Sequence, residues 1–181
     1  SGSVGEKWDG PHPDDLTDTT YDLIVESVRA IIDAVKPKNS FYCLETMPWM
    51  YPDSPDSYVR LIHDIDRRQF GVHMDPVNLF FSPQRYFNTG ELIAEFIEKL
   101  GPEIKSCHAK DIAMSNGFMV HLDEVRPGLG SLDYPRWLRL LDELNPDLPL
   151  MLEHLPDKDS YVRAASHIRG VAGELTNNIG V

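Results

Sequence analysis

The feature that most constrains this chain is a rhythm: four short apolar runs, each rich in branched and aromatic residues, separated by stretches whose apolar residues recur at helical spacing. The runs cover about 41–46, 70–75, 104–109 and 148–155. The helical stripes are Ile24, Val28, Ile31, Ile32 and Val35; then Tyr58, Leu61, Ile62 and Ile65; then Leu92, Ile93, Phe96, Ile97 and Leu100; then Trp137, Leu138, Leu141 and Leu144. Asp14, Asp15 or Thr17 can cap the first helix and Pro37 stops it, Gly101-Pro102 closes the third, and a last helix is expected over about 157–173. The repeat of about 30 to 45 residues is the size of a βα unit, so the pattern predicts an α/β fold with a parallel sheet. One segment breaks the rhythm. Residues 112–133 read as an insertion, with a short strand over 118–125 and the turn-rich Arg126-Pro-Gly-Leu-Gly-Ser.

Four units are half of an eight-stranded barrel, and an open half exposes strand edges and an unfilled interior. The expectation is therefore one domain over 1–181, a partial barrel of the last four βα units, whose N-terminal strands are missing or come from another chain, a homo-oligomer included. The opening Ser1-Gly-Ser-Val-Gly, without an initiating Met, reads as a loop and accords with a fragment. With 41% hydrophobic residues in 181, core size is no obstacle. Seventeen Lys+Arg against 29 Asp+Glu gives a net charge of −12, which opposes attraction to a phosphate backbone, and no Lys/Arg run supplies a local basic groove. Neither a bilayer-length apolar stretch nor a basic-then-apolar leader occurs, so no nucleic-acid or membrane partner and a cytoplasmic location are expected. Cys43 and Cys107 fall inside strand-like runs and read as buried free thiols.

Each apolar run carries a metal-type ligand at or near its end: Glu45, Asp75, His108 and Glu153. A single acid at a strand end is most often a cap or an ion-pair partner. Four of them on successive units are another matter, because parallel barrel strands converge on one mouth, where residues remote in sequence meet. Three carboxylates and one imidazole suit one divalent ion, Mn²⁺, Mg²⁺ or Co²⁺, and are compatible with Zn²⁺. Such an ion polarises a sugar carbonyl and the adjacent hydroxyl, acidifies the carbon-bound proton between them and stabilises the enediolate, while a nearby carboxylate shuttles the proton.

At these residues the chain resembles the sugar phosphate isomerase/epimerase group of the xylose isomerase-like TIM barrels, which includes ketose 3-epimerases, inosose dehydratase and endonuclease IV. The resemblance runs from about residue 20 to the last helix and corresponds to the C-terminal half of that barrel. It implies that Glu45, Asp75, His108 and Glu153 bind one divalent ion, and that Glu45 and Glu153 also act as a base/acid pair on opposite sides of the substrate carbon. Ketose epimerases continue the aspartate motif as Asp-x-x-His. Here it is Asp75-Pro-Val-Asn78, and Asn78 cannot act as that histidine does.

Three further residues are candidates for substrate contact. His73 shares the strand face of Asp75 by period two, the alternative being a buried His bonded to backbone. Lys110 stands in the same relation to His108 and suits an oxyanion, or else a rim ion pair with Asp111 or Glu124. Arg126 opens the long loop where the family places substrate-contacting residues, and its planar fork suits carboxylate or phosphate. Trp8 and Trp49 lie in expected mouth loops, where they stack on a sugar or pack beneath the loops.

The leading expectation is a metal-dependent isomerase or epimerase of a sugar, keto-sugar or derivative. A lyase that expels a β-hydroxyl from the same enolate is the alternative. An endonuclease IV-like nuclease ranks lower, since Asn78 and the reversed order His121-Leu-Asp123 replace that family's extra metal histidines. A non-catalytic barrel subunit is the fourth reading.

Overall fold

A computed structural model describes residues 2–178. In chain order the elements are α1 (Asp18–Val35), β1 (Tyr42–Glu45), α2 (Pro55–Ile65), β2 (Phe70–Met74), α3 (Pro83–Tyr86), α4 (Thr89–Leu100), β3 (Ile104–Ala109), β4 (Asp111–Met114), β5 (Leu122–Val125), α5 (Tyr134–Leu144), β6 (Leu150–Leu152) and α6 (Lys158–Asn178). Strands β1, β2, β3 and β6 form one parallel sheet in that order. The alternation expected from the apolar rhythm is thus present, and the connecting helices pack successively, α1 on α2, α2 on α4, α4 on α5 and α5 on α6. Among the described residues, no helix is long and apolar enough to cross a membrane.

Helix boundaries follow local chemistry. The Thr17 side chain accepts from Thr20 N, so α1 begins there, and the Pro13–Leu16 segment forms a separate 3-10 turn instead of the start of one long helix. Ser54 caps α2 in a reciprocal box with Ser57, with Pro55 in the first turn, which starts the helix three residues before the first apolar residue of its stripe, Tyr58. Both helices end on a residue in the left-handed region, Lys36 at φ 50° and Asp66 at φ 49°.

The apolar layer lies between the sheet and its helices. Tyr58, Leu61, Ile65, Val72, Ile93, Phe96 and Trp137 are buried there. From α2 the Tyr58 hydroxyl reaches the strands, accepting from Leu44 N and lying 2.5 Å from Leu44 O and 2.9 Å from Gly71 O.

One irregularity decides which side chains reach the other face. Val72 pairs with Ile104, but His73 pairs with Ser106, so Lys105 is an extra residue on β3. A one-residue shift in a period-two strand exchanges its faces. Ile104 therefore lies with the apolar side, whereas Ser106, His108 and Lys110 lie with His73 and Asp75. Gly71 permits the bulge: a Cβ there would stand 2.6 Å from Lys105 Cγ. Continuing across the sheet, Glu45 is in register with His73, and His108 with Met151, two residues before Glu153.

The insertion differs from expectation. Asp111–Met114 and Leu122–Val125 form an antiparallel hairpin, while residues 118–121, expected to be part of the strand, form its tip and lead into β5. Phe118 is fully exposed at that tip, and apolar character alone did not make it a strand. Both cysteines are free, Cys107 buried and Cys43 only partly so.

Candidate metal centre

Four strand ends deliver the four ligand-type residues. Glu45 is the last residue of β1, Asp75 follows β2, His108 lies near the end of β3 and Glu153 follows β6. One oxygen or nitrogen from each lies within 4.8 Å of the others. His108 Nδ1 is the hub, 3.2 Å from Glu45 Oε1, 3.4 Å from Asp75 Oδ2 and 2.9 Å from Glu153 Oε1. Neighbouring ligands around a small octahedral ion stand about 3 Å apart.

The backbone fixes two of these groups firmly. Asp75 is fully buried, and its Oδ1 accepts from Val77 N at 3.1 Å and Asn78 N at 3.3 Å, which winds the 3-10 turn Val77–Leu79. That turn presents the Asn78 amide, which donates to Glu45 Oε1 and to Thr46 O, both at 3.1 Å. The Thr46 hydroxyl in turn donates to Asp75 O at 2.7 Å. Glu45 and Asp75 are therefore parts of one ring of hydrogen bonds.

Two of the ligand-type oxygens meet cationic side chains. Asp75 Oδ2 and Glu153 Oε1 are buried, make no hydrogen bond of good geometry, and lie 2.7 Å and 2.5 Å from the Lys110 ammonium. Buried carboxylate oxygens need such a positive partner, and each keeps a further lone pair for a second one. Together with Glu45 Oε1 and His108 Nδ1 they form an oxygen-rich, four-ligand set that fits one divalent ion.

The electrostatics follow from crowding of acids. Burial alone would lower the His108 pKa, but Asp75, Glu45 and Glu153 more than reverse this and push it up to about 9. An ion binding at Nδ1 must displace that proton. Burial works against the Glu45 carboxylate, yet the His108 and Asp75 side chains and the Lys110 charge hold its pKa below the ordinary value. Burial, reinforced by His108, holds the His73 imidazole below its usual pKa.

The remaining candidates divide. His73 joins the cluster, its Nδ1 2.6 Å from Ser106 Oγ and its ring edge-on to His108 at 4.0 Å, with Nε2 buried and unpartnered. Lys110 makes the expected ion pair with Glu124, at 3.4 Å, but is only 2% exposed and lies closer to Asp75 and Glu153. Arg126 stands apart: its guanidinium donates to the neighbouring Pro127 O at 3.0 Å. Trp8 is exposed and Trp49 half-buried. His121 and Asp123 are exposed on the hairpin and do not join the ligand set.

Sequence reasoning gave no role to His154. Its Nδ1 is 3.2 Å from both oxygens of Glu124, and its Nε2 is 3.6 Å from Glu153 Oε2. Its backbone sits at φ 55°, a conformation that side chains other than Gly rarely adopt. No local pattern announces that geometry. The adjacency of an imidazole to a ligand-type glutamate was its one signal.

The sequence profile of the xylose isomerase-like TIM barrel family matches residues 2–171. The chain belongs to that family. Solved structures of similar fold include a xylose isomerase-like TIM barrel protein from Mycobacterium smegmatis in complex with magnesium, at TM-score 0.69 and 21% identity, covering 96% of this chain and 56% of that one. A probable 3-DHS dehydratase from Bacillus anthracis aligns at TM-score 0.64 and 17% identity, over 87% and 58% of the two chains. D-psicose 3-epimerase from Clostridium cellulolyticum H10, solved with D-tagatose, aligns at TM-score 0.63 and 13% identity, over 91% and 60%. At these identities the likeness is one of fold. The chain spans little more than half the length of these xylose isomerase-like structures, and its four parallel strands are part of such a barrel. No curated protein matches it.

Proposed function

We propose that the chain carries the metal-binding portion of a divalent-metal-dependent sugar isomerase or epimerase, with Glu45, Asp75, His108 and Glu153 as ligands. The convergence of their four ligand-type atoms from four separate strand ends carries the reading. When bound, the ion supplies Lewis-acid polarisation of a substrate carbonyl and its neighbouring hydroxyl.

The chain's own residues supply the proton transfer. Glu153 turns Oε1 into the cluster and leaves Oε2 on the His154 side, free to hold a substrate proton. Glu45 is used through Oε1 by His108 and Asn78, so its second oxygen remains for the partner role. The magnesium-bound and epimerase structures of the same fold support this reading, with a small sugar or polyol as substrate. Glu153→Gln is expected to abolish uptake of deuterium from heavy water into a responsive ketose while the circular dichroism spectrum is retained. Unchanged exchange would refute the assignment.

A lyase reading has its own support. Asn78 stands where ketose epimerases carry a histidine, and its amide is committed to Glu45 and Thr46. A dehydratase also shares the fold. Detection of a dehydrated product without an epimer would decide for it.

A further inference from the structure

Lys110 has a position that neither metal ligation nor substrate contact explains. It is among the largest fully buried side chains, and its ammonium faces four carboxylates: Glu153 at 2.5 Å, Asp75 at 2.7 Å, Glu124 at 3.4 Å and Glu45 at 3.8 Å. The two shortest contacts fall on Asp75 Oδ2 and Glu153 Oε1, the same atoms that face His108 Nδ1 in the ligand set. A resident cation and a divalent ion therefore share two donor atoms.

We infer that Lys110 is an electrostatic positioning residue that holds divalent-ion affinity down and balances the charge of the loaded ligand set. Three ligand carboxylates carry three negative charges, which a divalent ion and the ammonium together would offset, with Glu124 left as a fourth acid outside the set. Repulsion between the ammonium and the ion weakens binding, and by drawing carboxylate electron density toward itself Lys110 leaves the ion a stronger Lewis acid. The side chain is 2% exposed and its backbone is held in place: the Tyr134 hydroxyl donates to Lys110 O at 2.7 Å, and both oxygens of the following residue, Asp111, accept from backbone N–H groups. Glu124, on the hairpin, is the rim partner toward which the ammonium is also drawn.

This inference rests on the metal-binding reading above, and titration of the full chain with MnCl2 alone, by calorimetry at constant pH, separates the two. Wild type should bind one equivalent. Lys110→Met, which retains the apolar stem and removes the charge, should bind Mn²⁺ about tenfold or more tightly. Equal or weaker binding in a folded Lys110→Met would overturn the inference while leaving the site intact, since a merely structural lysine loosens the ligands when removed. Absence of Mn²⁺ binding in wild type would overturn both. If Lys110→Met is unfolded without metal, Lys110→Gln and the gain in melting temperature on adding MnCl2 give the same comparison: a larger gain than in wild type supports the inference, and an equal or smaller gain overturns it. Failure of both variants to fold even in saturating MnCl2 also overturns it, because the ion should then hold the carboxylates without the lysine.

Discussion

Asp75 and Asp111 are both buried carboxylates just beyond parallel strands, yet their surroundings differ in kind. Every lone-pair direction of Asp111 is used: Oδ1 accepts from Ile112 N and Leu132 N, both at 2.9 Å, and Oδ2 from Gly128 N at 2.9 Å and Gly130 N at 3.0 Å. Asp75 uses Oδ1 in the same way, for Val77 N and Asn78 N, but Oδ2 faces cationic side chains, Lys110 at 2.7 Å and His108 at 3.4 Å. The first acid binds a loop; the second turns one oxygen to the cluster at the strand ends. Burial and charge do not separate the two acids, whereas the partners of each oxygen do.

The largest effect should come from breaking the satisfied acid. Asp111→Ala strands four backbone N–H groups and is expected to cost about 4 kcal/mol, read as a fall in the urea midpoint. A loss below about 1 kcal/mol would mean that water replaces the carboxylate and that the contrast with Asp75 is illusory. Asp75→Asn should do the reverse. It keeps an oxygen for the Val77 and Asn78 N–H groups, so stability should change by less than about 1.5 kcal/mol, while Mn²⁺ affinity drops about 100-fold or more.

Gly130→Ala tests the loop from the other side. A Cβ there would collide with Asp111 Oδ1 and Ile112 O, and an overpacking cost of about 2 kcal/mol with little change in Mn²⁺ affinity is expected. A comparable loss of metal binding would show that the Asp111 loop and the metal centre are one unit.

The smallest effect concerns Asp15, a third buried acid whose oxygens accept from Val4 N, His12 N and the Ser3 hydroxyl. Burial opposes ionisation, but these donors hold its pKa below the ordinary 3.8. A depressed folded-state pKa gives stability that is present above the unfolded value and lost as pH falls through the folded one. Wild type should therefore exceed Asp15→Asn in melting temperature at neutral pH, and the gap should close only below about pH 4. A gap independent of pH would deny the carboxylate its role.

Much of this was legible from residues alone. Helical stripes such as Tyr58, Leu61, Ile62 and Ile65 mark the faces that pack, and strand runs end on Glu45 or just before Asp75 because apolar sheet gives way to polar mouth there. Other features left no local trace. The extra residue at Lys105 cannot be seen in β3 itself, since it exists only against the register of β2, and it is what turns Ser106, His108 and Lys110 to the face of Asp75. Asp111–Met114 lies largely in the stretch read as an insertion and is a strand only because it pairs with Leu122–Val125. Likewise, the burial of Lys110 and the Glu124–His154 contact span hydrogen-bonding and ionic partners brought together from separate units.

The sequence by itself determined the parallel α/β architecture and the four residues able to ligate an ion, because periodicity and residue type are local properties of the chain. Only the tertiary structure decided which partners each oxygen of each acid meets. That depends on groups up to several βα units away, held at distances of about 3 Å by a sheet register no single segment encodes.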